Sequence, residues 1–297
     1  MQKEEFQFLS ADKRTQIHAV KWIPDDGEYT AILQITHGMQ EHIGRYEEFA
    51  GYLNRQGVLV VGNDHLGHGD SVYDASEYGY FTKENPSDAL VADMHTLREI
   101  IQKHEPEKPY FMLGHSMGSY MLRKYITIHP EDLRGVILVG TGSMPDRTMK
   151  LGMNICRFLG KVKGWHHKSR LVKKLSYMGP YKQYDLTGAD KGNSWLSKET
   201  AVVEAFYNDP RAGFDNQPEH IAKIPRRLPI FLVSGDQDPV GDMGVGVKKV
   251  YRQYEQAGLY DITWKLYEND RHEILNETDR YNVYEDIYAW MCVRETT

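Results

Sequence analysis

The sequence predicts an α/β fold: a mostly parallel central sheet with helices on both faces. Three observations predict it. Short apolar runs alternate with segments of helical spacing along most of the chain. One run leads straight into a Gly-x-Ser-x-Gly turn, and a helical pattern follows. The rhythm breaks once, between about Gly142 and Pro218, where no strand candidate occurs. Runs that are apolar throughout, interleaved with helices, fit strands covered on both sides.

Taken in order, Gln16 to Ile23 (QIHAVKWI) alternates at period two and reads as a strand. Ala31 to Thr36 (AILQIT) and Val58 to Gly62 (VLVVG) are compact apolar strands. Tyr46 to Arg55 and Asp88 to Lys103 carry helical spacing between the early strands. Tyr110 to Leu113 (YFML) and Val136 to Val139 (VILV) continue the strand series, separated by the helical SYMLRKYITIH before Pro130. Pro229 to Val233 and Ile262 to Leu266 resume it late, and a final amphipathic helix is expected from Asp279 to Val293. The interruption reads as a helical cap inserted after the sixth main strand. Core is therefore expected at residues 1–141 and 218–297, and cap at 142–217. Within the cap, Leu151, Ile155, Phe158, Leu159 and Val162 share one helix face. Nine Lys/Arg against one acid, Asp146, make Thr141 to Leu175 basic.

Composition excludes several function classes. The 297 residues are 40% hydrophobic and 26% charged, which fits a globular chain and not a disordered or fibrous one. A net charge of −6 makes a general nucleic-acid binder a poor fit. Two cysteines cannot form a disulfide framework at this length, and their scarcity suits a reducing compartment. The first residues show no apolar signal segment, and no run approaches the ~20 apolar residues of a membrane span. A soluble, cytoplasmic protein is expected.

The chemistry centres on Gly114-His115-Ser116-Met117-Gly118. A strand before it and a helix after it supply the setting of a nucleophile elbow, whose tight turn leaves room only for glycine two residues either side of the serine. Ser116 would stand at the C-terminal edge of the sheet, at the start of a helix. A serine hydroxyl needs an adjacent base. Of thirteen histidines, His272 is the best candidate, because its loop follows a late strand and opens on the same sheet edge. His115 adjoins the serine in a sharp turn and should point elsewhere, and His166-His167 falls in the cap. The acid should follow the preceding strand, where Asp236 and Asp238 both stand. Asp238 lies farther into the loop before Pro239 and is preferred, while Asp236 can hold the turn. The order Ser, Asp, His is that of α/β-hydrolases.

With those residues in that order, the chain resembles the α/β-hydrolase superfamily. HGMQEHIGRY (His37 to Tyr46), DHLGHGDS (Asp64 to Ser71), GHSMG and RHEILNE narrow the resemblance to the monoacylglycerol lipase, lysophospholipase and serine-aminopeptidase-like branch. It implies an oxyanion hole from the backbone N–H groups of Met39 and Met117. The physical reasoning agrees: one donor follows the nucleophile, and the other follows the strand ending at Thr36. The resemblance also implies that Glu41 and Arg45 shape the polar head-group end of the site, although an i, i+4 ion pair at a helix start accounts for them equally well. DHLGHGDS has the look of a metal site in His65, His68 and two aspartates. The resemblance makes it a shaping loop, so neither metal nor cofactor is expected.

The function expected is hydrolysis of carboxylic esters of fatty acids with a small polar alcohol, through an acyl-enzyme on Ser116. Monoacylglycerol is the first choice of substrate, then lysophospholipid, then a general carboxylic ester. An aminopeptidase or amidase, or a non-catalytic scaffold, is the alternative. The basic, amphipathic cap suggests peripheral contact with an anionic membrane or micelle surface.

Overall fold

The computed structural model describes residues 1–82, 85–143, 146–164, 169, 179–209 and 224–295. Eight strands form one sheet: β1 (Gln2–Leu9), β2 (Gln16–Ile23), β3 (Ala31–Thr36), β4 (Val58–Asn63), β5 (Tyr110–His115), β6 (Leu133–Val139), β7 (Ile230–Gly235) and β8 (Ile262–Tyr267). Their order across the sheet is β1-β2-β4-β3-β5-β6-β7-β8. β2 runs antiparallel to β1 and β4, and every other neighbouring pair is parallel.

Strand alternation explains the two cores. In β5, Tyr110 and Met112 face one side, where they meet α2 (Pro86–Gln102), α3 (Met117–Tyr125) and α6 (Val245–Gln256) through Leu97, Met121 and Val250. Phe111 and Leu113 face the other side, against α1 (Glu47–Asn54) and α7 (Arg280–Glu295) through Phe49, Tyr284 and Trp290. With both faces covered, β3, β4, β5 and β7 are buried at every position, which is why they read as unbroken apolar runs.

The expected elements are present, most of them one or two residues longer than the pattern suggested. β1 was not anticipated. Its sequence, QKEEFQFL, is mostly exposed, and it pairs only with β2 at the sheet edge. Polar residues are tolerated on such an edge, so its hydrophobic signal is weak. α6 was also missed, although Val247, Val250 and Tyr254 line its buried face. The described elements between β6 and β7 are helical: α4 (Asp146–Lys163), two 3-10 turns and α5 (Thr200–Asn208). Trp165, His166, His167, Lys168, Arg170, Lys173, Lys174 and the expected cap boundary near Pro218 lie outside the described residues. Among the described residues, no helix is long and apolar enough to cross a membrane.

Candidate active site

The site lies where the parallel strands end. β5 finishes at His115, and α3 starts at Met117. Between them Ser116 holds φ 51 and ψ −119, a conformation that costs a non-glycine residue about 1–3 kcal/mol and persists only where the surroundings impose it. Ser116 N–H donates to Val139 O at 2.9 Å, and Ser116 O accepts from Ser119 N–H at 2.9 Å. A Cβ on Gly118 would fall 2.0 Å from Thr36 O, and one on Gly114 would fall 2.5 Å from Gly118 O. Those contacts are with backbone and cannot yield, so both positions require glycine.

The structure brings Asp238 and His272 together. Asp238 Oδ1 lies 3.0 Å from His272 Nδ1. The two residues are 0% and 2% exposed. Val240 N–H also donates to Oδ1, at 2.8 Å, and Ser234 Oγ donates to Oδ2 at 2.9 Å. Burial works against the Asp238 charge, but His272 and these donors together hold its carboxyl below the usual range. An ionised carboxylate only accepts, so Nδ1 carries a proton, and in the neutral imidazole Nε2 is the nitrogen left with a lone pair for a hydroxyl. Asp236 instead accepts Asn269 N–H at 2.8 Å, beside the turn.

The surroundings of His272 fix its ring. Gly140, at φ 58, lies so close that a Cβ there would be 3.0 Å from His272 Cε1. The Trp195 ring, from the segment between β6 and β7, lies 5.2 Å away at 30°. The peptide is held too: His272 N–H donates to Trp195 O at 3.4 Å, and Glu273 N–H to Leu196 O at 2.8 Å. Arg271 Nη1 donates to Ser194 O at 2.6 Å, and Lys198 pairs with Asp270 at 2.6 Å.

Met39 sits in the loop after β3, and Met117 opens α3. A Cβ on Gly38 would lie 3.1 Å from Ser116 Cβ, which places this loop directly against Ser116. Glu41 and Arg45 form the i, i+4 pair at 3.1 Å. They also reach farther. Glu41 Oε1 accepts from Gly38 N–H, from His115 Nδ1 at 2.7 Å and from Tyr46 OH at 2.9 Å. Arg45 forks onto Glu273 with two bonds of 2.8 Å. Burial opposes the Glu41 charge, yet His115 and Arg45 hold it well below the usual carboxylate range. Burial lowers His115 in turn, but the facing Glu41 outweighs it and raises the imidazole overall.

The DHLGHGDS segment supports the same loop. His65 N–H donates to His37 Nε2 at 2.9 Å, and His65 Nε2 lies 3.1 Å from His37 O. Burial drives His65 well below its ordinary value and His68 down to about 3. Among the described residues, His18, Asp64 and Asp70 converge closely enough to suit a metal ion. Asp64 already accepts from His18 Nδ1 and Asp70 N–H at 2.9 Å and from Ile43 N–H at 2.7 Å. That bonding ties β2, the loop after β3 and the loop after β4 together.

Sequence reasoning passed over Glu273, Trp195 and Ser234, and treated His115 as a bystander. Ser234 stands on β7, four residues before Asp238, and is buried like the rest of that strand, so its signal was only a polar residue at the end of an apolar run. Glu273 offered only its place beside His272, because its partner is 228 residues away.

A family model described as serine aminopeptidase, S33 matches residues 27–279. The chain is 26% identical over 293 residues to a monoacylglycerol lipase of Mycolicibacterium smegmatis, covering 91% of this chain and 90% of that one. It is 27% identical over 293 residues to a monoglyceride lipase of Rattus norvegicus, covering 92% and 86%. A solved carboxyl esterase from Bacillus coagulans, highly thermostable and in complex with glycerol, superposes with a TM-score of 0.87 at 30% identity over 99% of both chains.

Proposed function

Because this chain belongs to the serine aminopeptidase, S33 family, in its monoacylglycerol-lipase-like branch, we propose that it hydrolyses monoacyl esters of a small polar alcohol through Ser116, His272 and Asp238. The observation that carries the reading is the buried Asp238–His272 pair, 3.0 Å apart, on the sheet edge that presents Ser116 in its strained turn. His272 Nε2 takes the hydroxyl proton as Ser116 Oγ attacks the ester carbonyl. The Met39 and Met117 N–H groups receive the oxyanion. His272 returns the proton to the leaving alcohol, and water repeats the sequence on the acyl-enzyme. Asp238 orients the imidazole and stabilises its charged form. Glu41 and Arg45 shape the head-group end through the loop they hold. Monoacylglycerol is the first choice of substrate, ahead of lysophospholipid and simple esters.

The α4 face gives that substrate a route. Leu151, Phe158 and Val162 are 63%, 66% and 64% exposed, and Lys161 and Lys163 beside them are exposed as well. An apolar stripe with basic neighbours suits an anionic membrane or micelle surface, where acyl substrates reside. Amide hydrolysis is the second reading, and the family description favours it. The test is a hydrolysis panel of monoacylglycerols, lysophospholipids, short esters and aminoacyl amides, run beside fluorophosphonate labelling of the chain and of Ser116→Ala. Labelling that survives in Ser116→Ala, or turnover confined to amides, overturns the proposal.

A further inference from the structure

A line of buried charge runs behind the site and touches the loops of Met39, Ser116 and His272, each one peptide away from the chemistry. Gly38, which precedes Met39, donates its N–H to Glu41. His115, which precedes Ser116, bonds the same carboxylate at 2.7 Å. Glu273, which follows His272, receives the Arg45 fork at 2.8 Å twice. Arg45 Nη1 then closes the line onto Glu41 Oε2 at 3.1 Å. Glu41 and Glu273 are 2% and 3% exposed.

Stability alone is a weak reason for such a line. Burying three charged groups is costly, and buried ion pairs are often replaceable by apolar side chains without loss. What an apolar cluster cannot do is fix direction. A bidentate guanidinium–carboxylate fork sets both distance and plane. The loop it reaches needs that control, because Gln40 beside Met39 holds φ 65, a left-handed conformation that persists only when neighbours impose it.

We propose that Glu273 is a positioning residue: through Arg45 and Glu41 it keeps the oxyanion loop in register with the histidine loop. The proposal rests on the Ser116–His272 reading above. The Leu196 carbonyl holds the Glu273 N–H at 2.8 Å, so the His272 peptide is anchored on one side by the segment between β6 and β7 and on the other by Arg45. Loss of the carboxylate leaves Arg45 on Glu41 alone. The oxyanion donor then drifts relative to the base, and a displacement near 1 Å costs on the order of 100-fold in rate.

The test uses the full chain with Glu273→Ala, Glu273→Gln, Arg45→Ala and the Arg45→Ala/Glu273→Ala double variant. Thermal unfolding checks the fold, and kcat and KM are measured on a water-soluble short-chain ester beside the fluorophosphonate labelling rate. In Glu273→Ala, kcat and labelling fall about 10- to 100-fold, with KM little changed. The double variant loses no more than the worse single, as expected of one mechanical unit. Glu273→Gln keeps the length and one acceptor, and so retains an intermediate rate. If Glu273→Ala does not fold, the Gln variant carries the comparison. Unchanged kcat in a folded variant, a loss carried wholly by KM, or additive losses in the double variant overturns the positioning role. A wild-type chain inert to both reagents overturns instead the serine-hydrolase reading beneath it.

Discussion

Replacing Asp238 with Asn tests both the choice of acid and its hydrogen-bond geometry. Oδ1 accepts from His272 Nδ1 at 3.0 Å and from Val240 N–H at 2.8 Å, whereas Oδ2 faces the Ser234 hydroxyl at 2.9 Å. An asparagine must keep its oxygen where two donors converge and turn its NH2 toward Ser234 Oγ, which can rotate to accept. The histidine tautomer therefore survives the substitution. What is lost is a negative charge about 4 Å from the forming imidazolium, an attraction of about 4 kcal/mol at an effective dielectric near 20. At 1.36 kcal/mol per decade, kcat/KM falls about a thousandfold. Asp238→Ala also removes the orientation and falls on the order of 10⁴-fold. The assay is burst and steady-state kinetics on a chromogenic short-chain ester, with thermal unfolding to confirm the fold. Equal losses in the Asn and Ala variants would refute the amide-orientation argument. An inactive Asp236→Asn beside an active Asp238→Asn would refute the assignment itself.

The other expectations are independent of that one. Gly140→Ala places a Cβ 3.0 Å from His272 Cε1 at a backbone of φ 58; it destabilises by about 1–2 kcal/mol and slows ester turnover in the same kinetic assay, while a stability loss with unchanged kcat would contradict the close approach. Asp93 is pushed up to about 6 by burial, although Ser10 Oγ and Ala11 N–H bond it. A raised carboxyl makes the folded state hold its proton longer, so stability falls as pH rises from about 4 to about 6, by on the order of 3 kcal/mol. Urea unfolding of Asp93→Asn across that window should lack this fall, and an identical fall would place its origin elsewhere. Phe158→Asp, or charge reversal at Lys161 and Lys163, should weaken binding to anionic vesicles without altering turnover of a soluble ester, and 1 M salt should act like charge reversal because the Debye length drops to about 3 Å. Vesicle binding indifferent to all three changes would exclude α4 as the contact.

What the sequence disclosed divides along a physical line. The strands buried on both faces were legible because their environment is uniform, so composition alone marks them. The turn around Ser116 was legible because backbone sterics act within five residues: Gly114 and Gly118 have no alternative when a Cβ meets a carbonyl at 2.5 or 2.0 Å. β1 was not, because an edge strand with one neighbour can be polar at nearly every position. The choice of Asp238 over Asp236 lay between these cases. Local spacing supplied both carboxylates, and only the fold shows that Asp238 reaches His272 while Asp236 accepts from Asn269. The buried charges behind the site were beyond any local signal. Glu41 and Arg45 read as a helix-start pair because their spacing of four is short-range, but the partner that gives Arg45 its second carboxylate stands at Glu273. Desolvation makes the environment of such groups decisive, since an unpaired buried charge is far costlier than a paired one. A charged residue beside a catalytic loop is therefore ambiguous in sequence, a solvated ornament or a buried strut, until the opposite charge is found in space.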